Sequence, residues 1–115
     1  MKKINIIKEN EEYNRIIKNN KPFRYKEYLI FLEKKEESIY KFGFSVSKHI
    51  CKAVYRNRIK RQLKNIIDKK DYKNNFNCII MVNRSILEKS YNDMENDLLY
   101  CFNKLNIIKG ESDEK

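Results

Sequence analysis

The order of apolar patterns along the chain predicts one small domain mixing α-helices and β-strands, running helix, strand, strand, helix, strand, helix. Segments with helical spacing alternate with short aromatic or β-branched runs, which is the first sign. Composition is the second: 41% hydrophobic and 12% aromatic residues can form a core despite the 37% that are charged. Third, 115 residues with two glycines and one proline leave room for one core and show no linker or internal repeat. The domain is expected to cover residues 1–109, with Gly110 to Lys115 a disordered tail.

The first helix is expected to start at Asn10, where Glu11 and Glu12 favour a helix N-terminus. Tyr13, Ile16 and Ile17 give it one apolar side, and Asn19-Asn20-Lys21-Pro22 ends it. Residues 24 to 33, Arg-Tyr-Lys-Glu-Tyr-Leu-Ile-Phe-Leu-Glu, read as a strand buried on both faces near its end, and Lys34-Lys35-Glu36-Glu37 as a hairpin turn. Residues 38 to 47 alternate as the partner strand, with Phe42, Phe44 and Val46 sharing a face and Gly43 marking a bend or close backbone approach. A basic helix follows, then a loop rich in Lys and Asn, and Cys78 to Val82 has the composition of a central strand. Ser90, with Asp93 three positions on, caps a last helix whose core face is Tyr91, Met94, Leu98, Phe102 and Leu105.

Charge is segregated along the chain. From Ser38 to Ile67 there is no acidic residue, although the chain has 16, while Lys41, Lys48, Lys52, Arg56, Arg58, Lys60, Arg61 and Lys64 all fall inside. With a net charge of +10 and a pI near 9.5, this points to a polyanionic partner. No apolar run is long enough to span a bilayer, and Met-Lys-Lys-Ile-Asn-Ile-Ile-Lys lacks the features of an export signal, so a cytoplasmic location without a membrane partner is expected. Cys51, Cys78 and Cys101 are too widely spaced for a metal knuckle or redox pair and read as reduced thiols.

Residues 53 to 64, Ala-Val-Tyr-Arg-Asn-Arg-Ile-Lys-Arg-Gln-Leu-Lys, form the densest basic segment. At about 100° per residue, Tyr55, Ile59, Leu63 and Ile66 fall on one side and Arg56, Asn57, Arg58, Lys60, Arg61 and Lys64 sweep round the rest. One side grips the core and the other faces out. Like charges three and four apart repel by about 0.2–0.5 kcal/mol per pair, a cost that regularly spaced phosphates would reverse.

The segment Arg56-Asn57-Arg58-Ile59-Lys60-Arg61, preceded by Gly43-Phe44-Ser45-Val46-Ser47-Lys48 and Ala53-Val54, resembles the protein subunit family of bacterial ribonuclease P over about residues 3 to 107. The resemblance implies an α/β two-layer sandwich: a small mixed sheet carrying helices, with room for an extra strand and a left-handed βαβ crossover. It also implies two RNA surfaces. Arg56, Asn57, Arg58, Lys60, Arg61 and Lys64 would dock on the catalytic RNA subunit, and a cleft with Tyr13, Ile17, Phe31 and Lys48 would hold the single-stranded 5′ leader of precursor tRNA. Ile17 stands where the family commonly has an aromatic, Cys51 and Lys52 replace a usual Gly-Asn, and Asn83 replaces a common Arg, with Arg84 adjacent. Tyr13 and Phe31 would offer faces to unstacked bases, or else serve as ordinary core aromatics.

Nothing in the chain composes a protein nuclease. His49 is the single histidine, so a two-histidine acid/base pair is impossible within one chain, and Asp68 with Asp71 lies among lysines at a helix end. The resemblance agrees, because it implies that the RNA subunit performs the hydrolysis and mainly holds the Mg²⁺, with no cofactor bound tightly by the protein. The expected role is therefore protein cofactor in removing the leader from precursor tRNA, with no small-molecule substrate. The alternative is a general RNA-binding or ribosomal protein, whose binding would not depend on a leader.

Overall fold

The computed structural model describes residues 1–110; the remainder of the anticipated tail lies outside the described residues. Three helices, α1 (Asn10–Asn19), α2 (Ala53–Ile67) and α3 (Tyr91–Leu105), accompany four strands, β1 (Phe23–Tyr25), β2 (Tyr28–Lys34), β3 (Tyr40–Ser45) and β4 (Phe76–Val82). The strands form one mixed sheet in the order β1-β2-β4-β3. β4 is antiparallel to β2 and parallel to β3, so β3, α2 and β4 make a parallel βαβ unit. The predicted mixed class and the central position of Cys78 to Val82 both hold.

Two expectations are corrected. The single strand over 24–33 is two strands, because Lys26 takes a left-handed φ of 50° and turns the chain with Tyr25 facing Tyr28. β1 is thus the extra strand. Lys34 to Glu37 is no hairpin turn either, since β4 lies between β2 and β3. Lys35 donates its backbone N–H to Asn75, whose own N–H goes to Ile39, so the connection crosses the start of β4 instead. A strand apolar on both faces is better buried between two neighbours than at an edge. The start of α1 at Asn10 is as expected, with Glu9 in the capping position and no side-chain bond there. Ser90 does cap α3, accepting from the Asp93 N–H at 3.1 Å.

Strand alternation divides the core. Tyr28, Ile30, Phe42, Phe44, Phe76, Cys78, Ile80 and Val82 face α2 and α3, which contribute Ile59, Leu63, Ile66, Ile67, Met94, Leu98, Cys101 and Phe102. Phe31 and Ile79 point the other way, against Ile7 and Ile16 under α1. All three cysteines are free; burial pushes the Cys101 thiol up to about 12 and raises that of Cys78 as well. One acidic pair is also interior. Glu27 is fully buried beside Asp97, with the Lys89 Nζ 3.9 Å from each carboxylate and Lys26 Nζ 3.6 Å from Asp97. Burial, reinforced by Asp97, pushes the Glu27 carboxyl up to about 7.

Candidate nucleic-acid interface

The apolar residues of α2 fix which of its residues meet solvent. Ile59, Leu63, Ile66 and Ile67 are buried, so Asn57, Arg58 and Arg61 are exposed while Lys60 and Lys64 are half-buried. Among the described residues, none of Arg58, Lys60, Arg61 and Lys64 is paired with a carboxylate. Arg56 is half-buried and donates Nη1–H to the Cys51 carbonyl at 2.8 Å, tying the helix to the loop that precedes it. Arg84 reaches the same loop, donating to the His49 carbonyl at 3.0 Å. One side chain departs from the helical reading: Tyr55, expected on the core side, is 49% exposed. It lies in the first turn, where α2 has yet to settle onto the sheet.

Three of the predicted cleft residues, Tyr13, Ile17 and Phe31, lie on the other face. Phe31 is buried beneath α1, and Tyr13 and Ile17 are half-buried at the margin of the same cluster. The Tyr13 phenol lies over Gly43, where an added Cβ would come within 2.5 Å of its oxygen, and it donates to the Phe44 carbonyl at 3.1 Å. The close approach anticipated at Gly43 is therefore made by a side chain. Burial raises the Tyr13 phenol above its ordinary value. Lys48 is exposed in the connection from β3 to α2, where the Ile50 N–H bonds the Ser47 carbonyl at 3.0 Å.

Sequence reasoning missed Leu29 and Met81. They are half-buried on the α1 face and directly opposed in the β2–β4 register, extending the apolar margin beyond Ile17. Strict alternation from Tyr28 and Ile30 would have found Leu29, but the continuous apolar run hides it. At the far end of this face Arg15 is paired with Glu33, which accepts from Asn77 at 2.9 Å. As for metals, no group of three or more His, Cys, Asp and Glu converges among the described residues. Asp68 instead binds the N-terminal ammonium at 2.8 Å.

The family model described as Ribonuclease P matches residues 1–106. The chain belongs to the ribonuclease P protein family. It is similar to the ribonuclease P protein components of Alkaliphilus oremlandii, at 28% identity over 94% of this chain and 96% of the other, and of Bacillus cereus strain AH187, at 30% over 90% and 93%. Its fold matches a mutant of the Staphylococcus aureus RNase P protein with a TM-score of 0.83, at 22% identity over 91% of each chain. The Thermotoga maritima RNase P protein gives 0.74, at 16% identity over 83% of this chain and 92% of the other. Membership makes the chain a protein component of a tRNA-processing endonuclease. No helix among the described residues is long and apolar enough to cross a membrane.

Proposed function

We propose that this ribonuclease P protein works as a two-sided RNA adaptor, with α2 docked on the catalytic RNA subunit and the margin of α1 receiving the single-stranded 5′ leader of precursor tRNA. One observation carries the reading: Arg58, Lys60, Arg61 and Lys64 surround a buried apolar stripe of α2, and among the described residues no carboxylate pairs with them. Such a face costs repulsion until phosphates arrive. Arg58 and Arg61 can grip phosphates with paired N–H donors, Lys60 and Lys64 add mobile charge, and Asn57 offers both a donor and an acceptor.

The opposite face suits a different ligand. Tyr13, Ile17, Leu29 and Met81 give half-buried apolar surface, the kind on which unstacked bases lie, and Lys48 supplies charge for the backbone. Phe31 supports this surface from beneath. Mg²⁺, held by the RNA subunit, would neutralise charge developing on the scissile phosphate. The protein's part is to raise affinity for the leader-bearing substrate and to stabilise the folded RNA.

The test is reconstitution with a bacterial ribonuclease P RNA at low Mg²⁺. Correct cleavage of a precursor tRNA that appears only when the protein is added supports the proposal. Binding of the RNA without any promotion of cleavage would favour a general RNA-binding role.

A further inference from the structure

A groove of about 530 Å³ opens between the first turns of α2 and the segment leading into α3, on the side of the sheet away from Tyr13. Its volume lies within the range of about 300–1,000 Å³ usual for small-ligand sites. Two large apolar residues left in solvent, Tyr55 at 49% and Leu87 at 44% exposed, line it together with the half-buried Tyr91. Lys52 and Arg58 stand on its α2 wall with the Gln62 amide, and among the described residues no acidic one lines it. The groove therefore joins aromatic and aliphatic surface to uncompensated positive charge. Arg58 also belongs to the outward face of α2, so the groove continues that face.

We infer that this groove seats one unstacked nucleotide of the RNA subunit, its base against Tyr55 and Leu87 and its phosphate toward Lys52 and Arg58. The inference rests on the docking of α2 proposed above and adds a specific anchor to it. Phosphate contacts alone would leave Tyr55 and Leu87 in water, whereas a base covers both while its charge meets the cations. Gln62 has the donor and acceptor to meet a base edge. An acidic peptide would satisfy the cations without needing the exposed ring.

Cys51 lines the groove and is the half-buried thiol among three cysteines, the other two being buried with raised thiols. Its rate of modification by a disulfide reagent reports occupancy in the unaltered protein. The RNA subunit is expected to slow that reaction at least tenfold, and adenosine 5′-monophosphate at millimolar concentration to slow it measurably. Tyr55→Ala should weaken RNA-subunit binding about tenfold without changing its salt dependence, Leu87→Ala should act in the same direction from the other wall, and Tyr55→Phe should bind like the parent. Arg61→Ala, outside the groove, should reduce the salt slope while Cys51 stays protected at saturating RNA. If Tyr55→Ala and Leu87→Ala bind normally while Arg61→Ala does not, the nucleotide seat is wrong and the docking of α2 stands. If all three bind normally, the docking itself is refuted. Reduced binding by Tyr55→Ala together with a lower salt slope would mean a disturbed helix and overturn the assignment, as would an unprotected Cys51 in the saturated complex.

Discussion

The two faces of the sheet leave different surfaces to solvent. From Arg58 onward α2 buries Ile59, Leu63, Ile66 and Ile67 and displays charge, so apart from the groove at Tyr55 and Leu87 its affinity for RNA would come from phosphates and be sensitive to salt. On the α1 side, part of the apolar surface stays accessible at Tyr13, Ile17, Leu29 and Met81, which suits bases and resists salt. The contrast follows from strand alternation: neighbouring residues of β2 and β4 serve different faces, and Gly43 leaves room for the Tyr13 phenol against β3. A folded RNA presents mainly backbone, whereas a single-stranded leader presents bases. The proposed assignment of the two surfaces follows that difference.

The largest effect should come from the charged face. Replacing Arg58 and Arg61 together with Ala should weaken RNA-subunit binding by about 3 kcal/mol and lower the log-log salt slope by about 0.9 for each phosphate no longer neutralised. A salt titration that returns the parental slope would remove α2 from the interface. Gly43→Ala comes next, because its Cβ would meet the Tyr13 Oη at 2.5 Å and Cζ at 2.7 Å. Destabilisation toward the upper end of about 1–3 kcal/mol is expected by denaturant unfolding, shrinking in a Tyr13→Ala background. Equal costs in both backgrounds would show that Tyr13 does not fill that space.

Tyr13→Ala itself should cost about 1–3 kcal/mol of affinity for leader-bearing precursor while sparing mature tRNA. Equal losses for the two ligands would point to damaged folding instead of weakened base stacking. The smallest effect concerns the α2–α3 side, which keeps its acidic pair inside. With the Glu27 carboxyl near 7 when folded and near 4.5 when unfolded, the folded chain binds the extra proton between those values. Stability should therefore fall as pH rises through that window, by on the order of 1 kcal/mol per pH unit. Thermal unfolding of Glu27→Gln across the same window should show a flatter profile; an unchanged profile would mean Glu27 is not the group responsible.

What the sequence revealed was decided by how local each signal is. The limits of α3 were legible because Ser90 caps it and Met94, Leu98 and Phe102 repeat at helical spacing. The cationic face of α2 was legible for the same reason. The break at Lys26 was not, since a lysine in a left-handed turn carries none of the usual glycine or asparagine signal. Nor was the insertion of β4 between β2 and β3, a pairing settled by competition among distant strands. In the cleft, resemblance named Tyr13, Ile17, Phe31 and Lys48, but only the packing separates a buried Phe31 from an accessible margin that includes Leu29 and Met81. Tyr55 escaped because periodicity assigns a direction to a side chain without knowing where the neighbouring element ends.

The most direct test of the two-sided account is photo-crosslinking from one position on each face. In a Cys51→Ser background, a thiol-linked photoprobe at Ile17→Cys or at Lys64→Cys would be irradiated in the complex of protein, RNA subunit and leader-bearing precursor tRNA. The Ile17 position is expected to label the leader and the Lys64 position the RNA subunit. Labelling of the same RNA from both positions, or of the leader from Lys64, would contradict it.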